Sequence, residues 1–199
     1  MKNYKKNFEI LKKNHVYSEE MEHDACGVGL IASTEGKKSR KIVEYGIEAL
    51  KAVWHRGAVD ADGKTGDGAG IHVEIPKDFF IEKIEVTGHT HDNSEICVGM
   101  IFLPRNDYAA QESCKTIVES ELTKNDFSIY GWRQVPVNPK VLGEKAFQTM
   151  PEIIQVLFKS NNPELLNKDL ERKIYETRRI IENKAFKISL NNFYICSLS

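Results

Sequence analysis

The stretch Cys26-Gly27-Val28-Gly29-Leu30-Ile31-Ala32 joins a thiol to an apolar run that is interrupted by glycines. A polar leader precedes this stretch, and Ser33-Thr34-Glu35-Gly36 follows it as a turn. A short apolar run between such signals predicts a buried strand over residues 26–34. If the leader were cut before Cys26, that residue would carry both a nucleophilic thiol and an α-amine that could act as its base.

Cys26 is the first candidate for chemistry. A thiol needs a base or a lowered pKa to attack at neutral pH. An α-amine titrates near ~7.7–8 in model peptides, so it suits that task, and amino-terminal threonine hydrolases use the same logic. The residues alone leave two other interpretations open: Cys26 is a small core residue at a strand start, or it pairs with His23 in an uncut chain.

The composition is typical of a single globular domain and argues against several classes of protein. The chain has 199 residues, of which 41% are hydrophobic, and a net charge of -1, which fits one domain with a substantial core and predicts neither a nucleic-acid nor a membrane partner. The longest apolar stretch, Ile96–Leu103, is too short to span a bilayer. None of the four cysteines forms a C-x-x-C pair, and Cys97 and Cys196 are expected to be small buried hydrophobes. We expect a cytoplasmic protein.

The hydrophobic pattern predicts an α/β chain in which helices alternate with short strands. The first helix is expected to start at Ser39 as its N-cap and to end at Gly57 as its C-cap. The last helix is expected to be capped by Asn162, and its inward stripe is expected to consist of Leu166, Leu170, Ile174, Thr177 and Ile181. The other expected elements are a helix over 106–124 and strands over 71–75, 96–103, 127–135, 152–159 and 193–199. The last strand ends with the chain, so we expect the chain to be a fragment.

A second chemical feature is the run from Trp54-His55-Arg56-Gly57-Ala58 to Gly66-Asp67-Gly68-Ala69-Gly70. An arginine beside glycine-rich turns can present a fixed guanidinium to a carboxylate. The alternative is a helix end followed by two ordinary turns, with Arg56 on the surface. A phosphate loop is excluded because the run feeds a strand and its lysine precedes the glycines. His89, His91 and Asp92 lack a second ligand cluster nearby, so we interpret them as a polar loop.

In combination these motifs resemble the glutaminase domain of the glutamate synthase large subunit, a class II glutamine amidotransferase of the amino-terminal nucleophile hydrolase type. The resemblance covers nearly all of residues 21–199 and depends on an ordered series of motifs. The series consists of Cys26–Ala32, Ala49-Leu50, His55-Arg56-Gly57-Ala58, Ala61-Asp62, Thr65–Gly70, Val98–Leu103, Gly131-Trp132-Arg133-Gln134-Val135-Pro136, Leu142-Gly143 and Phe193–Ser199.

The resemblance implies a four-layer αββα sandwich, incomplete in this chain, with residues 1–25 as a propeptide and 26–199 as the amino-terminal portion of the domain. It implies that Cys26 attacks the glutamine side-chain amide, and that Arg56 and Gly27 support the pocket. The complete subunit would carry FMN and a 3Fe-4S cluster, take electrons from NADPH or ferredoxin, and aminate 2-oxoglutarate to glutamate. Its partners would be the remainder of the large subunit and the small NADPH-oxidising subunit.

The sequence also departs from the family pattern. The family places its oxyanion hole in an Asn-Gly dipeptide, and these residues contain none. We therefore expect the isolated chain to be inactive, since one oxyanion-hole donor is worth ~10²–10³ in turnover. The alternatives are another class II amidotransferase, and a split or degraded subunit that only binds a partner fragment.

Overall fold

The structure is a computed structural model, and it describes residues 6, 9–10, 13, 27–54, 57–190 and 192–199. These residues belong to two compact units. One unit comprises the described residues up to Gly57 together with Ala69–Ile71. The other comprises Ala58–Gly68 and His72–Ser199, and it contains the sheet.

In the first unit the main element is helix α1, Arg40–Ala52. Its N-cap is Ser39, as expected, and the Ser39 hydroxyl accepts a hydrogen bond from the Lys41 amide at 3.2 Å. The helix ends at Ala52 with Val53 as C-cap, so the expected end at Gly57 is wrong. The Gly57 amide instead donates to the Trp54 carbonyl at 2.9 Å, which closes a separate turn after the helix.

The second unit contains four strands that form one antiparallel sheet in the order β2-β3-β1-β4. The strands are β1 Cys97–Leu103, β2 Phe127–Gln134, β3 Glu152–Ser160 and β4 Tyr194–Leu198. The helices of this unit are α2 Lys77–Val86, α3 Tyr108–Lys124, α4 Glu144–Thr149 and α5 Asn167–Lys187, and a 3-10 turn spans Pro139–Val141. The expected mixture of helices and strands is therefore confirmed as an α+β fold.

Each face of the sheet contributes to a hydrophobic core. Alternate side chains of a strand point to opposite faces, so residues two apart share a core. Helices α3 and α5 supply the larger core, which includes Ile101, Val118, Phe158, Ile174 and Ile195. Helix α2 supplies a smaller core through Phe80 and Ile84, which pack with Val98, Tyr130 and Leu157.

Most elements of this unit match the sequence-based expectations. The four strands and helix α3 lie where the pattern placed them, and Asp107 caps α3 by accepting from the Ala110 amide at 2.9 Å. In α5 the expected stripe is confirmed at Leu170, Ile174, Thr177 and Ile181, all of which are buried. The helix begins five residues after Asn162, however, and Leu166 is half exposed.

Two expected strands are wrong. Residues 27–33 and 71–75 form no strand, and Val28 and Leu30 are 94% and 89% exposed. Cys26, the first residue of one of those strands, lies outside the described residues. The physical reason is that a strand needs a hydrogen-bonded neighbour, and no described strand pairs with either segment. An apolar, β-branched run is not sufficient by itself.

Helices α3 and α5 are joined by a buried carboxylate as well as by apolar contacts. Glu121 on α3 is 3% exposed, and its Oε1 accepts from Lys184 Nζ of α5 at 2.6 Å and from Lys124 Nζ at 3.0 Å. These hydrogen bonds, first the one from Lys184, hold the pKa of Glu121 below its usual value. The pair of lysines thus offsets the cost of burying this charge.

Candidate functional site

Of the three predicted site residues, the structure describes only Gly27. Cys26 and Arg56 lie outside the described residues, so their roles stay predictions. Gly27 is described, and it is exposed in an extended segment. A Cβ built on Gly27 would come no nearer than 3.7 Å to Val53 Cγ2, which is an ordinary contact. The position therefore has room for a side chain, and the role of Gly27 also stays a prediction.

Between the predicted site motifs lies an ordered loop, residues 58–68. A bridge between Val59 and Gly66 pairs its two ends. The Asp60 amide donates to the Thr65 carbonyl at 2.7 Å. The Gly63 amide donates to the Asp60 carbonyl at 2.9 Å, and Gly63 adopts a φ of 68°, which glycine tolerates best. The loop is thus a closed hairpin rather than two ordinary turns.

Two aspartates hold this loop by bonding its backbone. Asp67 Oδ2 accepts from the Ala58 amide at 2.8 Å and fixes the base of the loop. Asp62 Oδ1 accepts from the amides of Lys64 and Thr65 at 2.9 and 2.7 Å, and its Oδ2 accepts from Thr65 Oγ1 at 2.6 Å. The Thr65 hydroxyl first, and then the Thr65 and Lys64 amides, hold the pKa of Asp62 far below its usual value. Asp62 is therefore a carboxylate at neutral pH.

The loop also contacts the start of helix α4. Gly143 is the N-cap of α4 and offers no side-chain hydrogen bond. The Ala146 amide donates instead to Thr65 Oγ1 at 3.5 Å, and the Glu144 amide helps to lower the pKa of Asp62. The loop thereby satisfies the Ala146 amide, which a helix start leaves without an intrahelical partner. We call this contact, made by Asp62, Thr65, Gly143 and Glu144, the loop clasp.

Gly143 is required by the geometry of the loop clasp. It is buried, and a Cβ built on it would overlap Thr65 Oγ1, Asp62 Oδ2 and the Thr65 amide nitrogen. All three atoms belong to groups that form the hydrogen bonds between Asp62 and Thr65, so a side chain at position 143 would push the loop away from α4. Beside the clasp, Lys145 Nζ lies 2.7 Å from Asp60 Oδ2 in an exposed ion pair that adds little.

Sequence reasoning placed Asp62, Thr65 and Gly143 in family motifs but did not bring them together. The Asp62-x-x-Thr65 spacing is a usable signal, because aspartate often bonds backbone amides two or three residues ahead. No local signal identifies Gly143 as its partner, since the two positions are far apart in sequence.

The remaining described cysteines and histidines have ordinary structural surroundings. Cys97 and Cys114 are buried, and burial raises the pKa of their thiols to about 12 and about 11. Cys196 is exposed, so its expected burial is wrong, because along the edge strand β4 its position alternates with that of the buried Ile195. His91 Nε2 lies 2.9 Å from the Ser94 carbonyl, and His89 Nδ1 lies 3.1 Å from Thr87 Oγ1.

The described part of the chain contains neither a membrane-spanning helix nor a cluster of metal ligands. None of its helices is long and apolar enough to cross a bilayer. Within the same residues, no three His, Cys, Asp or Glu side chains converge in a way that could hold a metal ion.

Comparison with known proteins gives a consistent result. Residues 26–199 match the family model described as Glutamine amidotransferases class-II. The chain is 52% identical over 196 residues to the glutamate synthase [NADPH] large chain of Azospirillum brasilense. This alignment covers 98% of the chain and 13% of the length of that protein. It is also similar to ferredoxin-dependent glutamate synthases of Arabidopsis thaliana (38%) and Pyropia yezoensis (40%), covering 96% of the chain and 12% of each relative.

These matches agree with the fold class expected from the motifs. The chain spans only 12–13% of the length of these relatives, and the family match begins at Cys26.

Proposed function

This chain belongs to the class II glutamine amidotransferase family, and we propose that it supplies the nucleophile of a glutaminase, with Cys26 as the attacking residue. One observation carries the proposal: the family match begins at Cys26, where a thiol would acquire an adjacent α-amine if the preceding residues were removed. Residues 1–25 are then a propeptide, and residues 26–199 belong to the amidotransferase domain.

The reaction follows from a thiol and an amine on one residue. The α-amine of Cys26 takes the thiol proton, and the thiolate adds to the side-chain amide carbon of glutamine, whose oxygen becomes an oxyanion. The amine returns the proton to the amide nitrogen, the C–N bond breaks, and ammonia leaves. Water then adds to the glutamyl thioester, the sulfur leaves with a proton, and glutamate is released.

The pocket roles of Arg56 and Gly27 rest on the resemblance. Arg56 would shape the pocket around the nucleophile, since a guanidinium can bind a carboxylate or carbonyl through two parallel bonds. Gly27 would let the backbone come close to the substrate. Neither residue is proposed to exchange a proton with glutamine.

Two of the three described cysteines are poor alternatives to Cys26 as the nucleophile. The thiols of Cys97 and Cys114 are buried and their pKa values are raised, so both are poor nucleophiles at neutral pH. Cys196 is exposed and therefore serves as the natural control.

The relatives suggest what the ammonia is used for. Their names are those of glutamate synthases, so we propose that the ammonia aminates 2-oxoglutarate elsewhere in a longer cytoplasmic polypeptide. The FMN and the 3Fe-4S cluster that the resemblance implies would belong to the remainder of the large subunit. The relatives' names include both NADPH and ferredoxin. The small NADPH-oxidising subunit that the resemblance implies would be a partner in the NADPH case only.

Cys26→Ala tests the proposed nucleophile in the full-length polypeptide that carries this segment. We expect the variant to lose glutamine hydrolysis and labelling by a glutamine-mimicking electrophile, whereas Cys196→Ala keeps both. Intact mass of the wild type should show a species that begins at Cys26. Hydrolysis that survives in Cys26→Ala would rule out this residue as the nucleophile.

The isolated 199-residue chain gives a second test. It contains no Asn-Gly dipeptide, so by resemblance it lacks the oxyanion hole, and we expect no measurable ammonia release from glutamine. The measurement is an ammonia assay on the purified chain beside the full-length polypeptide. Comparable turnover in the two samples would contradict the expectation.

A further inference from the structure

A cavity of about 540 Å³ lies beside the sheet, where the end of β3 meets the start of β2. We propose that this cavity binds a small monocarboxylate on the Lys159 ammonium, and that the Asp92 carboxylate occupies Lys159 as an internal substitute for that ligand. Asp92 lies between α2 and β1 on residues 88–94, which we call the strap. Binding then exchanges one carboxylate for another, and it does not depend on the glutaminase chemistry.

The side chains around the cavity favour a small anion. The described residues that line it include Lys159, His89, four hydroxyl side chains and the amide of Asn161, but no aspartate or glutamate. Phe127 and Ile129 add an apolar part to the lining. The volume falls within the ~300–1,000 Å³ that is usual for small-molecule sites. A single ammonium among hydroxyl groups and apolar carbon suits a monocarboxylate with an apolar body.

Lys159 is the group that would receive the ligand. Its side chain is 22% exposed, and its Nζ lies 5.7 Å from the centre of the Tyr130 ring. The hydrogen bond with Asp92 is the main cause that raises the pKa of Lys159, so the side chain is an ammonium at neutral pH. A mostly buried ammonium is costly without an anion beside it. Lys159 therefore needs a carboxylate, from Asp92 or from a ligand.

Asp92 makes the contacts that a bound carboxylate would make. It forms an ion pair with Lys159, and its Oδ1 accepts from Ser94 Oγ at 2.5 Å and from the Tyr130 hydroxyl at 3.4 Å. Lys159 first, and then the Ser94 hydroxyl, hold the pKa of Asp92 far below its usual value. Asp92 is therefore ionised at neutral pH and competes with any other carboxylate for Lys159.

The strap can release Asp92 without taking one of its own residues out of the core. No residue from 88 to 94 is buried, and none belongs to either core cluster. The Asp92 side chain itself is 51% exposed. The strap turns at Gly88 and Asn93, which adopt φ values of 83° and 64° and so follow neither a helix nor a strand. The main cost of the exchange is thus the ion pair, which the ligand replaces.

An NMR titration of the 199-residue chain with butyrate tests the site. Butyramide is the matched ligand, because it has nearly the same shape and no charge. The readouts are the backbone amide resonances of Ser128, Lys159 and Asn161. Asp92→Asn removes the charge of the internal competitor, and Lys159→Gln removes the charge that receives the ligand.

A second ion pair provides the matched control variants. Lys145 pairs with Asp60 at 2.7 Å, and neither residue lines the cavity. Asp60→Asn and Lys145→Gln therefore make the same chemical changes in an ion pair that is not part of the proposed site.

We expect butyrate to shift the cavity amides and butyramide to leave them unchanged. Asp92→Asn should bind butyrate ~10-fold more tightly than the wild type, because no ion pair has to be broken first. Lys159→Gln should bind it at least ~10-fold more weakly. The two control variants should match the wild type.

The opposite signs of these two effects distinguish a binding site from an ion pair that only holds the strap. Affinity that falls or stays unchanged in Asp92→Asn would overturn the role of Asp92 as an internal substitute. Cavity amides that butyrate shifts in neither the wild type nor Asp92→Asn would overturn the site itself. Equal affinity for butyramide would overturn the recognition of a carboxylate. If Lys159→Gln loses the dispersed spectrum of a folded chain, the titration of Asp92→Asn decides.

Discussion

Strand β1 and the segment 27–33 have similar sequences and opposite structures. Both are apolar runs that contain glycine, and the pattern predicts a buried strand for each. Strand β1 lies between β3 and β4 and buries Cys97, Ile101 and Leu103. Residues 27–33 form no strand, and Val28 and Leu30 are almost fully exposed.

The difference teaches that a strand is defined by its neighbours. Strand β1 pairs with β3, residues 152–160, on one side and with β4, residues 194–198, on the other. Both of its edges therefore form backbone hydrogen bonds within the described chain. Among the same described residues, none pairs with 27–33. An unpaired apolar segment leaves its backbone hydrogen-bonding groups and its apolar side chains exposed to solvent.

Amide exchange gives the largest contrast between the two regions. The amides of β1 are held by hydrogen bonds in a central strand, so we expect Val98–Phe102 to exchange about a thousandfold more slowly than Val28–Ala32. Hydrogen–deuterium exchange of the purified chain, read by mass spectrometry of peptides, measures the ratio. Equal, fast exchange in both segments would mean that the sheet does not hold without additional polypeptide.

Truncating one side chain in each region sharpens the comparison. Ile101 is fully buried between the sheet and helices α3 and α5. Ile101→Ala should lower the free energy of unfolding by about 2–5 kcal/mol, because it leaves a cavity. Val28→Ala, at a 94% exposed position, should change it by less than about 0.5 kcal/mol.

Urea denaturation followed by the fluorescence of the half-buried Trp132 measures both changes. An equal loss of stability in Val28→Ala would show that residues 27–33 are packed in solution.

The sequence predicted the elements whose signals are periodic and long. The stripe of Leu170, Ile174 and Ile181 in α5 and the cap Ser39 depend on spacings within one element, and the structure confirms them. Helix α4 was missed because its six residues are too few for a period to be visible.

The candidate site could be predicted only in part. The thiol of Cys26 and the guanidinium of Arg56 are recognisable as residue types within motifs. The loop clasp is not, because it depends on a contact between Asp62 and Gly143 that no local spacing encodes. The residue types therefore indicated the chemistry from the sequence alone. The contacts of the loop clasp could be identified only from the folded structure.

Substitution of Glu121 is expected to give the smallest effect on the region that contains the sheet and its helices, and it tests one specific contact. Its buried carboxylate joins α3 to Lys184 of α5, and removing the charge leaves the two lysines without their counter-ion. We expect Glu121→Gln to lower the free energy of unfolding by about 1–3 kcal/mol at neutral pH. Glu112→Gln, which breaks an exposed pair with Lys115 on the same helix, should cost less than about 0.5 kcal/mol.

The pH dependence identifies the cause of that loss. The folded-state pKa of Glu121 is lowered, so its contribution is fully present above the unfolded value of ~4.3 and is lost as pH falls through the folded pKa. Wild type and Glu121→Gln should therefore differ most at pH 6 and converge as the pH is lowered below ~4.3. Urea midpoints measured across that range provide the test. A difference that stays constant into acid would assign the loss to packing at position 121 rather than to its charge.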